Sequence, residues 1–214
     1  IDLLRLDVSS RLAADQTRRA RLGQFFTPES VAQFMASLFA FPRMPKTLRL
    51  LDAGGGNGML MAAAVAELCS RPAARPERII ATAWELDDAL IPSLDDTLRL
   101  CEAACRREGV AFTADLRHGD FILEAADMLG ANRLFAGDAP RFDAAILNPP
   151  YRKLRSDSEE RLRLRSAGIE TSNLYAAFVW LVMELLADRG ELVAITPRSY
   201  MNGSYFRPFR QALL

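Results

Sequence analysis

Short apolar segments alternate along the chain with longer segments whose apolar residues recur at helical spacing. Runs of apolar and β-branched residues are typical of buried strands, whereas helices repeat their apolar positions every three to four residues. The predicted strands are residues 48–51, 78–84, 111–117, 142–147 and 191–196, and the predicted helices include residues 2–21, 59–68, 94–107 and 175–186. A further helix is expected after Pro28, with Val31, Phe34, Met35 and Leu38 on one face.

Strands that alternate with helices are typical of the α/β class, and we expect a doubly wound, mostly parallel sheet of the Rossmann-like type. With 214 residues, half of them hydrophobic, the chain is long enough for one sizeable core. We expect residues 1–46 to form an N-terminal helical segment and residues 47–214 to form the core domain. Because ligands of such sheets bind at the carboxyl ends of the strands, the residues after each strand are the candidates for a functional site.

Composition argues against several kinds of site. The 27 basic residues balance the 27 acidic ones, so no global positive field attracts nucleic acid. No segment has the apolar length of a membrane span or signal peptide, which predicts a soluble, cytoplasmic protein. The chain has one histidine, His118, and three cysteines, of which Cys101 and Cys105 are four residues apart. Without other metal-binding side chains nearby, we expect these cysteines in the core and predict no metal site.

The most informative segment is Asn148-Pro149-Pro150-Tyr151, which directly follows the predicted strand 142–147. Proline cannot donate to a sheet ladder, so the strand must end there. The two prolines hold the chain rigidly, and the Asn148 amide oxygen and the Pro149 carbonyl can then point at one spot, while the Tyr151 ring offers a face for stacking. A planar aromatic amine would satisfy these groups, although an ordinary Pro-Pro turn is the plainer alternative.

A glycine-rich turn, Asp52-Ala53-Gly54-Gly-Gly-Asn-Gly, follows the first predicted strand and leads into a helix. Such a turn lets a ligand lie against the backbone, as in any dinucleotide fold. Asp52 changes the expected ligand, because an acid at a helix N-terminus repels a pyrophosphate but can hold the ammonium group of an amino acid. The turn therefore favours a methionine-derived cofactor over NAD.

The next two strand ends also carry acids. Glu85 stands where such folds bind ribose hydroxyls, and Asp120 can accept a hydrogen bond from an adenine amine while Phe121 and Leu86 enclose the ring. Any one of these acids could instead be a helix cap or a solvated loop residue. Asp52, Glu85 and Asp120 each stand at the end of one of three successive predicted strands, and this shared position favours one cofactor site.

These segments resemble the adenine-specific DNA methyltransferases of restriction–modification systems, and in particular the family of Eco57I- and PstI-like modification methylases. The resemblance rests on Gly-Gln-Phe-Phe-Thr-Pro at 23–28, the Asn-Pro-Pro-Tyr motif, Gly-Ile-Glu-Thr-Ser-Asn-Leu-Tyr-Ala-Ala at 168–177 and Leu-Val-Ala-Ile-Thr-Pro-Arg-Ser-Tyr-Met-Asn-Gly at 192–203. One departure is Asp-Ala-Gly-Gly at 52–55, where the family usually has Asp-Pro-Ala-Cys.

The resemblance implies a catalytic domain that methylates adenine N6 in double-stranded DNA with S-adenosylmethionine. It places Phe26 (or Phe25) and Thr27 at the methionine end of the cofactor, and Asn148 and Pro149 beside both cofactor and target. It also implies a recognition domain outside this chain, and a restriction endonuclease as partner or fused in the same chain.

The same residues suggest a mechanism. If Asn148 and the Pro149 carbonyl accept both hydrogens of the target amine, the nitrogen lone pair is aimed at the methyl group, and no strong general base is required. The base must leave the duplex, and Tyr151 would stack on it, with Tyr200 or Phe206 as a second ring. The basic segment 152–165, with Arg198, Arg207 and Arg210, is a candidate phosphate-binding face or simply a solvated surface.

Two alternatives stay open from the sequence. Protein glutamine methyltransferases face the same delocalised nitrogen and also carry Asn-Pro-Pro-Tyr. A fragment that binds cofactor or DNA without catalysis is the second alternative. The Phe-x-Thr-Pro segment and the arginine-rich stretch favour DNA, and the intact Asn148 and Tyr151 favour an active enzyme.

Overall fold

The computed structural model of the protein describes residues 26–71, 75–135 and 140–213, and the side chains of residues 131–135 and of Tyr205 are outside that description. The predicted helix 2–21 and Phe25 of the expected cofactor segment therefore lie outside the described residues, as does part of the connection between the predicted helix 59–68 and strand 78–84.

Five parallel strands form the sheet at the centre of the molecule. They are β1 (Thr47–Asp52), β2 (Arg78–Glu85), β3 (Ala111–His118), β4 (Phe142–Leu147) and β5 (Leu186–Ala194). Their order is β3-β2-β1-β4-β5, so the chain winds outward from β1 in both directions. The predicted parallel, doubly wound sheet is confirmed, with the switch in winding direction between β1 and β4.

Helices cover both faces of this sheet. They are α1 (Glu29–Ser37), α2 (Met59–Cys69), α3 (Ile91–Arg107), α4 (Phe121–Phe135), α5 (Glu159–Ser166), α6 (Leu174–Leu185) and α7 (Arg207–Leu213). One apolar cluster joins the sheet to the first three helices, and a second joins it to the last four. Since both faces are covered, the central strands β1 and β4 are almost continuously buried, as expected for a parallel sheet.

The predicted apolar face of α1 is wrong in part. Phe34 and Leu38 are 64% and 52% exposed, whereas Ala32, Met35 and Ala36 are buried. The helix packs against the alanine-rich α2 through residues at spacing i, i+3 and i+4, and the two alanines among them allow close approach. The two large side chains consequently point away from the core.

Two further elements differ from the sequence prediction. The apolar residues of helix α4 show little helical periodicity and Gly130, a poor helix former, lies within it, so the sequence does not predict this helix. Strand β5 begins at Leu186 rather than at 191 and ends at Ala194, and its pairing with β4 is irregular. Arg189 in this stretch has a positive φ of 65°, a turn conformation that apolar periodicity cannot reveal.

Cys101 and Cys105 are both fully buried, which confirms them as core residues, and the Cys69 and Cys105 sulfurs are 3.6 Å apart. Within residues 26–71, 75–135 and 140–213, no three His, Cys, Asp or Glu side chains are grouped so that they could hold a metal ion. Over the same ranges, no helix combines the length and the apolar character that a membrane crossing requires.

Candidate active site

A cleft opens at the carboxyl ends of β1, β2, β3 and β4, around the point where the sheet switches its winding direction. Its lining includes many of the predicted site residues: Phe26, Ala53, Gly54, Glu85, Leu86, Asp120, Phe121, Asn148 and Pro150. Thr27, Asp52 and Pro149 are buried next to this lining, and Tyr151 is partly buried. The structure thus brings residues from four strand ends and from the segment before α1 to one place.

The glycine-rich turn after β1 forms the floor of the cleft. The Gly55 amide donates to the Trp84 carbonyl at 2.7 Å, which ties this turn to the end of β2. Gly58, at the start of α2, has φ 84°, and a Cβ there would lie 2.7 Å from Thr97 Cγ2. Because neither the conformation nor the space admits a side chain, glycine is required at this position.

Asp52 is a buried acid with an unsatisfied oxygen. Its side chain is fully buried, Oδ1 accepts a hydrogen bond from the Gly54 amide at 3.3 Å, and Oδ2 has no partner among the described residues. Burial, opposed by the Gly54 bond and reinforced by the charge of Glu85, raises the pKa of Asp52 to about 7. An unpaired buried carboxylate is costly, so this group is suited to a cationic ligand.

Glu85 organises the loops on either side of it. Its Oε2 accepts from the Gly56 amide at 2.8 Å and its Oε1 from the Asp87 amide at 2.7 Å. Burial raises the pKa of Glu85, while these amide bonds oppose the shift. Each carboxylate oxygen can accept more than one hydrogen bond, so this geometry is compatible with the predicted binding of ribose hydroxyls.

Asp120 caps helix α4 and lines the cleft. Its Oδ1 accepts from the Ile122 amide at 2.8 Å and from the Leu123 amide at 3.3 Å. The helix cap considered from the sequence is therefore present, yet the residue also faces the cleft. Burial raises the pKa of Asp120.

Phe121 and Leu86 both line the cleft but differ in exposure. Phe121 is buried, its ring 5.3 Å from that of Trp84 and 5.2 Å from that of Phe178, whereas Leu86 is 50% exposed. A buried aromatic side chain and an exposed aliphatic one therefore both line the cleft, which is compatible with the enclosed ring that the sequence predicts.

Asn148 is held by hydrogen bonds from two directions. Its Nδ2 donates to the Thr27 hydroxyl at 3.2 Å, and its Oδ1 accepts from the Tyr151 hydroxyl at 2.7 Å. The Tyr151 hydroxyl also lies 3.3 Å from the Ile195 carbonyl oxygen, at the end of β5. The carboxamide therefore sits where β4, β5 and the segment before α1 meet.

The aromatic side chains near Asn148 form a continuous series. The Tyr151 ring packs edge-on against Tyr175 at 6.3 Å, and Tyr175 packs against Phe206 at 5.9 Å. Tyr200 instead packs against Phe209. Of the two rings considered as a second stacking partner, Phe206 thus belongs to the series that begins at Tyr151.

The basic segment after Tyr151 contains helix α5 and is largely paired with acids. Its ion pairs are Arg152–Glu160 at 3.2 Å, Arg155–Asp157 at 3.3 Å, Arg161–Glu170 at 2.8 Å, Arg165–Glu170 at 3.1 Å, and Arg163 with Asp127. Arg210 donates to the carbonyls of Tyr200 and Gly203, while Arg198 and Arg207 are exposed. The positive field of this face is weaker than the arginine count suggests.

Several lining residues were not assigned to a ligand site from the sequence. They are Trp84, Leu90, Gly119, Ile122, Leu174 and Phe178. Leu174 and Phe178 lie in the strongly apolar α6, so their pattern indicates core packing and gives no sign of a cleft. Their spacing of four residues places them on one face of α6, which is the signal that could have found them.

Comparison with known proteins gives a consistent result. The model of the Eco57I restriction-modification methylase family matches residues 92–214. The Type II methyltransferase M.BsuBI of Bacillus subtilis is 43% identical over 215 residues, and M.PstI of Providencia stuartii is 38% identical over 214 residues. Each match covers 100% of this chain and 40% of the relative, so the chain spans less than half the length of these two proteins.

The fold is also found in a solved structure. The methyltransferase subunit of a type I restriction-modification system from Streptococcus thermophilus superposes with a TM-score of 0.59 at 23% identity, over 88% of this chain and 38% of the subunit. This likeness confirms the predicted Rossmann-like methyltransferase fold.

Proposed function

The chain belongs to the Eco57I restriction-modification methylase family, and we propose that it transfers a methyl group from S-adenosylmethionine to the N6 amine of an adenine flipped out of duplex DNA. The observation that carries this proposal is the position of Asn148, whose carboxamide lines the same cleft as the acids Glu85 and Asp120.

The cleft fits S-adenosylmethionine in charge and shape. Asp52 offers a buried, unpaired oxygen to an ammonium group, and Glu85 offers two carboxylate oxygens to ribose hydroxyls. Phe26, Ala53 and Gly54 would contact the methionine end of the cofactor. The adenine ring of the cofactor would be enclosed by Leu86, Asp120, Phe121, Pro150 and Phe178. A pyrophosphate cofactor such as NAD would be repelled by Asp52 at the glycine-rich turn.

In the reaction, the residues of the chain act by orienting the target amine. When bound, S-adenosylmethionine supplies an electrophilic methyl group carried on a positively charged sulfur. Asn148 Oδ1 and the Pro149 carbonyl accept the two hydrogens of the target adenine's amine. These bonds draw the nitrogen lone pair out of conjugation and direct it at the methyl group of a cofactor bound in the cleft. The methylated amine is acidic while it carries its extra proton and loses it to solvent, so no general base is needed.

The DNA target requires extrusion of the base and contacts to phosphates. Tyr151 and the rings packed next to it would take up part of the stacking that the flipped adenine loses, about 1–3 kcal/mol. Arg198 and Arg207, which are exposed, are better candidates for phosphate contacts than the paired arginines of α5. A restriction endonuclease for the same DNA sequence is the partner that this activity implies.

The test is a methyl-transfer assay on the full-length protein. Radiolabelled S-adenosylmethionine is incubated with unmethylated genomic DNA and, separately, with a glutamine-bearing protein, and the labelled nucleoside is identified by chromatography. We expect N6-methyladenine from DNA and no label in the protein. Label in glutamine, or in cytosine, would contradict the proposal.

A variant of Asn148 makes this assay specific. Asn148→Ala should lower the transfer rate at least ~100-fold, because an acceptor that aims the nucleophile is lost. Its affinity for S-adenosylmethionine, measured by calorimetry, should stay within about threefold of wild type, since one hydrogen bond at the edge of the site contributes little to ground-state binding. A variant with full activity would refute the assignment of the catalytic motif.

A further inference from the structure

Thr27 lies two residues before the start of α1, with Pro28 at the N-cap position between them. Its place before Pro28 and Glu29 predicts a helix cap, yet α1 receives no hydrogen bond from a capping side chain in the part of the chain that the structure describes. The hydroxyl instead accepts from Asn148 Nδ2, a residue 121 positions further along the chain. With only 9% of the residue exposed, this hydroxyl is oriented into the protein.

Two hydrogen bonds that Asn148 makes with described residues distinguish its amide oxygen from its amide nitrogen. The 2.7 Å distance to the Tyr151 hydroxyl is typical of an O–H···O bond, and the 3.2 Å distance to the Thr27 hydroxyl is in the range of N–H···O bonds. The orientation with Nδ2 toward Thr27 therefore matches both distances. This orientation places Oδ1 next to Tyr151, the residue on which the proposed target base would stack.

We propose that Thr27 is a positioning residue for methyl transfer, whose hydroxyl holds the Asn148 carboxamide so that Oδ1 faces the target amine. This inference rests on the proposed function. A carboxamide that rotates by 180° would present Nδ2 to the amine, and two donors would then face each other. Thr27 stabilises the present orientation, because its hydroxyl accepts from Nδ2 while the Tyr151 hydroxyl donates to Oδ1.

The proposal differs from a cofactor role for Thr27, which the family resemblance implies. The neighbouring residue Phe26 lines the cleft, while the structure gives the Thr27 hydroxyl to Asn148. A group that binds the cofactor changes its dissociation constant. A group that only orients Asn148 changes the rate of the chemical step and leaves the dissociation constant almost unchanged.

The experiment compares Thr27→Val, Thr27→Ser and wild type in the full-length protein. Valine keeps the branched shape without the hydroxyl, whereas serine keeps the hydroxyl. We measure the single-turnover rate of methyl transfer to unmethylated genomic DNA and the dissociation constant of S-adenosylmethionine by calorimetry. Thr27→Val should lower the rate about tenfold, as expected when a reacting group loses its orientation, with cofactor affinity within about twofold. Thr27→Ser should restore most of the rate.

A matched control is Ser30→Ala, which removes an exposed hydroxyl from the first turn of α1 and should leave both quantities unchanged. A wild-type rate in Thr27→Val overturns the proposal, and so does a loss of cofactor affinity equal to the loss of rate. If thermal melting shows that Thr27→Val is unfolded, the same comparison is made with Thr27→Ala, which removes the hydroxyl without adding bulk.

Failure of this proposal can be told from failure of the proposed function. If wild-type protein labels no DNA, the function is wrong. If wild type labels adenine and the hydroxyl is dispensable, the function stands and only the positioning role of Thr27 is refuted.

Discussion

Asp52 should make the protein less stable at neutral pH than it would be with a neutral side chain. The carboxyl is fully buried, its Oδ2 lacks a partner among the described residues, and its pKa rises from 3.8 to about 7. Because the pKa is higher in the folded than in the unfolded chain, folding favours the protonated form. The stability contributed by that form is complete below pH 3.8, falls as the pH rises, and is lost above pH 7.

The size of this effect follows from the pKa difference. A shift of roughly three units at 1.36 kcal/mol per unit corresponds to about 4 kcal/mol, which is an upper limit for the cost of the buried charge. Asp52→Asn removes the charge and keeps the oxygen that accepts from Gly54. Since the new NH₂ group must also be accommodated, we expect a gain of about 1–3 kcal/mol in unfolding free energy at pH 8.

The assay is urea unfolding of wild type and Asp52→Asn between pH 5 and pH 8. The advantage of the variant should grow with pH and level off above pH 7. The difference between the two proteins largely isolates Asp52, because Glu85 and Asp120 titrate in both. A difference that does not change with pH would refute the inference of an unpaired buried charge.

The same charge should serve cofactor binding. An ammonium group near Asp52 lowers the pKa of the carboxyl, so binding near pH 7 should release protons, and the calorimetric enthalpy should then depend on the ionisation enthalpy of the buffer. Asp52→Asn should bind S-adenosylmethionine at least ~10-fold more weakly at pH 8, since it loses the charge pair. A variant that is both more stable and equally able to bind would contradict this role.

Two further predictions test glutamates in β2 and β5. Glu85→Ala should weaken calorimetric affinity for S-adenosylmethionine at least ~10-fold, because it removes the proposed ribose acceptor and releases the Gly56 and Asp87 amides; unchanged affinity would exclude the ribose role. Glu191→Gln should lower the urea-unfolding free energy by about 1–3 kcal/mol without affecting cofactor affinity. The Glu191 carboxylate accepts from the backbone amides of Ala40 at 2.8 Å and Phe41 at 2.6 Å, in the turn after α1, and glutamine can accept only one of these bonds. A loss of affinity in Glu191→Gln would link that turn to the site.

The sequence predicts the sheet well because each strand carries its own local signal. The central strands are largely buried on both faces, so they appear as mostly apolar runs, and topology places the residues at their carboxyl ends beside the cleft. Asp52, Glu85 and Asn148 could therefore be identified without coordinates. Helix α4 and the true inner face of α1 depend on packing partners, which local periodicity does not contain.

The candidate site also has a part that the sequence predicts and a part that it does not. Its polar residues follow strands and could be predicted, but the bonds that orient them join distant segments. The Thr27–Asn148 bond spans 121 positions, and a threonine before a proline predicts a helix cap. Only the approach of α1 to the ends of β4 and β5 shows that the hydroxyl has another partner. If the proposed reaction depends on an accurately oriented carboxamide, its rate is set partly by contacts of this kind, and the sequence motif alone contains the acceptor without the groups that orient it.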